Sequence, residues 1–216
     1  MPSSFPGSPR LLKGALITLS SEGAISQVIL FQYNPFSMSR TLAPSITEGE
    51  SADSMRYTGA PVETLKVDVE FDAADRLEEG DADTERLGIA PQLAALELLL
   101  YPKSGDVKAA EQLKRMGTLE VVPPPVPLTL FVWGANRILP VRITEFSVTE
   151  EAHDPALNPL RAKVSLGMRV LSTADFTSDH RGWNLFMAHQ VAKETMATLA
   201  TVGSVGAALG SDVRII

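Results

Sequence analysis

Few groups in this chain could do chemistry. The three histidines, His153, His180 and His189, fall in a polar loop, a linker and a predicted helix, with no spacing that would bring them onto one metal ion. Each reads as a surface or helix-capping residue. Asp179, His180 and Arg181 stand together like a base with its orienting groups, yet neighbours along a linker rarely converge. Carboxylates crowd between Asp68 and Glu85, where they alternate or cluster as a solvated face, and the glycine and glutamate offsets of a calcium loop do not fit residues 72–85. There is no cysteine, which excludes disulfide scaffolds, thiolate metal sites and cysteine nucleophiles. Nucleophile-elbow, phosphate-loop and dinucleotide glycine patterns are missing as well. Paired acids for glycoside hydrolysis would want an aromatic-lined cleft, and aromatic residues make up only 6%. The sequence therefore predicts no catalytic residue, no cofactor and no metal. An enzyme of unknown class is kept only as an alternative.

What remains is a protein whose information lies in its surfaces. Its 216 residues suit one domain, or one domain with an extension, and 44% apolar with 21% charged residues is ordinary globular composition. A net charge of −7 disfavours nucleic acid as a partner, because phosphate needs a cationic surface. Residues 1–10 carry three prolines and no apolar core, so they read as a flexible arm and not a secretory signal. With no run of about 18 apolar residues, membrane insertion is not expected. A cytoplasmic protein is the default.

The backbone pattern is mostly β. Residues 12–19 and 25–33 are strand-like and flank Ser21-Glu22-Gly23, which predicts a hairpin ended by Asn34-Pro35. Residues 36–63 show no period and predict a long loop that is ordered against a neighbour. Across 64–72, Leu65, Val67, Val69 and Phe71 alternate with Lys66, Asp68, Glu70 and Asp72, giving one buried and one wet face. Acidic residues 75–85 read as an exposed loop, 89–101 as a helix ended by Pro102, and 107–116 as a short charged helix. Pro123-Pro124-Pro125-Val126-Pro127 forms a stiff spacer. Three strands follow, over 128–133, over 137–149 with a phase change between Ile143 and Phe146, and over 160–170. Trp183, Phe186, Met187, Gln190, Val191 and Glu194 have helical spacing within 181–200, and 201–216 is a small apolar tail with Gly206 and Gly210 four apart. Strands separated by one central helix imply an α+β domain, mainly β, on antiparallel sheets.

Taken in order, these motifs resemble a known family. The run Phe31-Gln32-Tyr33-Asn34-Pro35, the polar loop, the 64–72 strand, the 89–101 helix, the proline spacer, Phe131-Val132-Trp133-Gly134 and the closing hairpin together resemble the tube-type domain of contractile injection systems, the phage-tail-like particles of bacteria. The likeness covers residues 11–172 and is nearest to baseplate tube-initiator or adaptor proteins. It implies a tail-tube fold of two packed, barrel-like antiparallel sheets with a flanking helix. It also implies a homo-hexameric ring around a channel, with spike, tube and other baseplate subunits as partners. Residues 173–216 lack the peptidoglycan-binding LysM pattern that adaptor members often carry, so they are expected to form a helical extension in its place. The inner tube protomer is the alternative within the family. Asn34, Pro35, Arg40, Tyr57, Trp133, Trp183 and Phe186 are the expected assembly contacts.

Overall fold

The computed structural model describes residues 11–20, 22–47, 56–117 and 126–200. The expectations for the arm 1–10, the centre of the 36–63 loop, Pro123-Pro124-Pro125 and the apolar tail 201–216 lie outside these residues.

The predicted hairpin is present as β1 (Ala15–Leu19) and β2 (Ile25–Leu30), antiparallel, with Gly23 at φ 82° where the turn needs a left-handed residue. β1 pairs on its other side with β7 (Leu128–Val132), and β7 pairs with β8 (Ile138–His153). β8 pairs with β9 (Pro159–Val170), β9 with β6 (Val62–Asp72), and β6 with β3 (Met38–Ala43). The result is one antiparallel seven-stranded sheet in the order β2-β1-β7-β8-β9-β6-β3, beside a two-residue pairing of β4 (Ile46–Thr47) with β5 (Arg56–Tyr57). The α+β, antiparallel class is as predicted. The two packed sheets, however, are two halves of one, and among the described residues no closed barrel forms.

The physical reason lies in β8. Its first residues pair with β7 and its later ones, from Val141 on, with β9, so a single strand carries the ladder from one half to the other. Pro140, which cannot donate to a ladder, sits at that handover, and the register slips between Ile143 and Glu145, where the sequence predicts a phase change. The halves fold over a shared interior. Leu16, Phe31, Phe131 and Leu139 from one half and Leu65, Val67, Val69, Phe71, Val164, Leu166 and Met168 from the other belong to one buried cluster. Burying each of the three phenylalanines contributes about 2–3 kcal/mol.

The 36–63 span is not structureless, since it holds β3, β4, β5 and the first residues of β6. The acidic stretch is also more ordered than expected: it forms α1 (Ala74–Glu78) and α2 (Ala82–Leu87), the latter capped by Asp81, whose carboxylate accepts from Asp83 N at 3.0 Å. The central helix is α3 (Ala90–Glu97), which buries Leu93 and Leu96 on the core. Its start is pinned by Ile89 N donating to Pro159 O at 2.8 Å, and Gly88 (φ 58°) is required there because a Cβ would lie 2.1 Å from the same oxygen. The charged helix is α4 (Ser104–Arg115), and the C-terminal extension is α5 (Arg181–Ala200).

Candidate assembly surfaces

The run Phe31-Gln32-Tyr33-Asn34-Pro35 follows β2 and works as a clasp. Phe31 is fully buried, and its N–H donates to Gly14 O at 2.9 Å. Gln32 mimics a strand partner: its Oε1 accepts from Asp72 N at 2.9 Å and its Nε2 donates to Asp72 O at 2.8 Å. β2 and β6 are separated by four strands in the sheet, so this one amide bridges the curl where no ladder does. Tyr33 adds a hydroxyl donated to Asp75 Oδ2 at 3.0 Å, and burial followed by that carboxylate raises its pKa. Asn34 turns the other way: Oδ1 accepts from Gly14 N and Nδ2 donates to Leu12 O, both at 2.8 Å, which extends the β1–β2 pairing past its last backbone bond. Asn34 is thus committed within the chain, and Pro35 ends the segment half-buried.

The other expected contact residues divide. Trp133 is half-buried and stacks on Phe131, with centroids 5.9 Å apart and planes at 13°. Phe186 is buried by α5 in the main core, and Trp183 is half-buried on the same helix. Arg40 lies 3.5 Å from Glu63 Oε1. Tyr57, at the end of the β4–β5 pair, is 88% exposed.

Two residues with the most unusual surroundings escaped the sequence reading. Glu63 is only 3% exposed, flanked by Arg40 and by Lys193 Nζ at 3.4 Å, and its Oε1 has no hydrogen-bond partner among the described residues. The sequence did hold a signal, because Glu63 shares the strand phase of Leu65 and Val67. His189 is 7% exposed on α5, not on the surface as expected. Its Nδ1 meets Asn136 O at 3.2 Å and its Nε2 has no hydrogen-bond partner among the described residues. Burial, and after it Lys193, lowers its pKa. The remaining histidines are local. His153 Nε2 lies 2.9 Å from Glu150 Oε2, and His180 stacks on Phe176 while its Nδ1 accepts from Gly182 N at 3.0 Å, a cap on α5. Arg181 reaches Gly23 O, so Asp179, His180 and Arg181 share no proton path. Among the described residues no three acidic or histidine side chains gather to hold a metal ion, and no helix is long and apolar enough to cross a membrane.

Three surfaces face outward. The edge strand β2 exposes Ile25, Val28 and Leu30, next to Tyr33 and a fully exposed Phe36. The opposite edge, β3, exposes Leu42, with Ile46, Tyr57 and Val62 nearby. Between them, the wet face of β6, β9 and β8 is a lattice of cross-strand pairs: Lys66 with Glu145 at 2.7 Å, Arg161 with Asp72 at 2.6 Å, Lys163 with Glu151 at 2.9 Å, and Ser165 with Asp68. The carboxylates of Glu145 and Glu151 raise the pKa values of Lys66 and Lys163. The Ala74 N–H, with Arg161 behind it, lowers that of Asp72. Such exposed pairs contribute at most about 1 kcal/mol each, but they keep the face polar and its charges balanced.

No family model matches the chain, and no curated protein does. Solved structures do match. One is described as the tail of an empty GTA particle computed with helical refinement and C6 symmetry; it is 18% identical, with 73% of this chain and 90% of that chain covered, at a TM-score of 0.28. A score that low carries no argument here, and the fold stands on its own strand order.

Proposed function

We propose that this protein is a structural subunit of a contractile injection system, one protomer of a six-membered ring in the baseplate or inner tube that joins the spike to the tube and starts tube assembly. The observation that supports this most is the pair of sheet edges that, among the described residues, pair with no further strand. β2 and β3 are six-residue antiparallel strands at opposite ends of one sheet, each flanked by exposed apolar side chains. An unpaired edge invites another strand, and a chain with two of them suits heterologous pairing that closes into a ring. The ordered motifs point to the adaptor type within that family. The charge-paired face of β6, β8 and β9 suits a channel wall, because it presents no apolar patch and no uncompensated field to whatever passes. Spike, tube and other baseplate subunits are then the partners, assembly takes place in the cytoplasm, and the chain performs no chemistry of its own.

The test is sedimentation velocity with electron microscopy of the purified chain, alone and with its partners, together with deletion of residues 46–57. Discrete rings, or a monomer that joins rings only with its partners, are expected. Deletion of the β4–β5 pair should leave the sheet folded and abolish particle assembly. Open-ended filaments would instead favour the tube protomer. Intact particles from the deletion strain would defeat the assembly role of this segment, and a monomer that turns over a substrate would defeat the whole reading.

A further inference from the structure

The seat of α5 is unlike the rest of the core. The helix reaches the main cluster through Phe186 and Met187, its Leu185 lines a neighbouring groove, and several of its remaining contacts are polar. Lys193 pairs with buried Glu63 of β6, His189 meets the backbone carbonyl of Asn136 in the β7–β8 turn, and Arg181 meets Gly23 O. Beyond Lys193 the helix is exposed, including Met196 and Leu199. A terminal element held by a few apolar side chains and several polar contacts, with its last turns exposed, is among the first to open locally.

His189 sits at the centre of this seat. With Nδ1 donating to Asn136 O, the neutral ring keeps its proton there and leaves a lone pair on Nε2, which is buried and has no partner among the described residues. The charged groups around it come from each packed element: Glu63 from β6, Lys193 from α5 itself, Arg137 from the β7–β8 turn, and Arg40 of β3 through Glu63. That is two cations to one anion at the ring, and the anion is itself shared with Arg40. A proton on Nε2 would place a further positive charge among them, out of water.

We infer that α5 is an acid-releasable strap: neutral His189 lets the helix lie on the sheet, and proton uptake by that ring lifts it off, uncovering Leu19, Ile25 and Leu130, which face Leu185 of the docked helix across a groove. With α5 docked, that groove has a volume of about 640 Å³. The direction follows from linkage. A docked ring that resists protonation and an undocked ring with the ordinary value of about 6.5 make docking pH-independent well above that value and progressively weaker below it, by up to tenfold per pH unit. Burial and Lys193 oppose the proton, while the Asn136 carbonyl and Glu63 pull weakly the other way. The device resides in the single chain and does not rest on the ring reading.

Hydrogen exchange of the full-length monomer tests it, read by mass spectrometry at pH 7.5 and 5.0 with rates placed on a common intrinsic scale. Amides of 183–195 should lose protection at pH 5.0 while those of β6 and β9 keep theirs. His189→Asn, which retains a donor for Asn136 O but cannot titrate, should remove the pH dependence. His180→Asn, which keeps an acceptor at the cap, should not. If His189→Asn fails to fold, the ring resonances of the wild-type histidines decide: the His189 midpoint must coincide with the midpoint of α5 protection. Equal protection at both pH values, tighter docking in acid (imidazolium captured by Glu63), the same loss in a folded His189→Asn, or midpoints that differ would each overturn the inference.

Discussion

Replacing Gln32 by alanine should measure how much of the curled shape depends on one side-chain amide. The wild-type amide makes two bonds to the backbone of Asp72, at 2.8 and 2.9 Å, and no ladder joins β2 to β6. Each such bond contributes about 1 kcal/mol net. Because Gln32 is half-buried, the severed Asp72 groups can reach water and do not carry the full penalty of burial. The loss is therefore roughly 2 kcal/mol, which for a domain of this size lowers Tm by about 4–8 °C. Urea unfolding followed by circular dichroism gives the first number and calorimetry the second. Hydrogen exchange adds a local reading, since the Asp72 amide should lose protection well before those at the centre of β6. Gln32→Glu keeps the acceptor for Asp72 N–H but sets a negative charge against the Asp72 carbonyl and the nearby Asp75 carboxylate, 3.4 Å from Nε2 in the wild type. It should be at least as destabilising as alanine. A Gln32→Ala protein that melts within about 1 °C of wild type with Asp72 still protected would refute the clasp.

Other outcomes follow from the same geometry. Phe71→Asp places a carboxylate on a position 2% exposed, so cooperative unfolding should be lost or Tm should fall by more than about 10 °C; an unchanged Tm would contradict the strand phase. Gly14→Ala brings a Cβ to 2.7 Å from Phe31 Cδ2 and 2.8 Å from the Trp133 ring; about 1–3 kcal/mol of destabilisation and altered tryptophan emission are expected, and a silent substitution would mean the stack is looser than described. Asp72, whose folded pKa is lowered by the Ala74 N–H and Arg161, supplies stability that is present above about pH 3.9 and lost as pH falls through the folded value. Asp72→Asn should therefore flatten the acid limb of the urea midpoint below about pH 4, and an unchanged limb would assign that limb to other carboxylates.

Much of the sheet was legible because the pleat writes itself into a sequence with period two. Leu65, Val67, Val69 and Phe71 on β6, and Ala162, Val164, Leu166 and Met168 on β9, alternate with charged or small polar neighbours since each strand has one dry face and one wet face. The phase change in β8 was readable for the same reason, and α5 through the separate 3.6-residue period of a helix. β3, β4 and β5 were not: at an edge almost every side chain is wet, so burial imposes no alternation, and only pairing to β6 reveals a strand. Composition and spacing alone also disclosed the absence of the usual nucleophile and cofactor motifs.

The tertiary structure decided the rest, through contacts between residues far apart in sequence. Gln32 recognises a peptide unit forty residues away, and a backbone target leaves no mark on side-chain identity. The long β8 fused two expected sheets because handing a ladder from β7 to β9 depends on register, not on residue type. Glu63 and His189, ordinary in a sequence window, became a buried polar seat only when β3, β6, the β7–β8 turn and α5 met around them. Local pattern reports which face of an element is dry; what covers that face is set by the chain that folds over it.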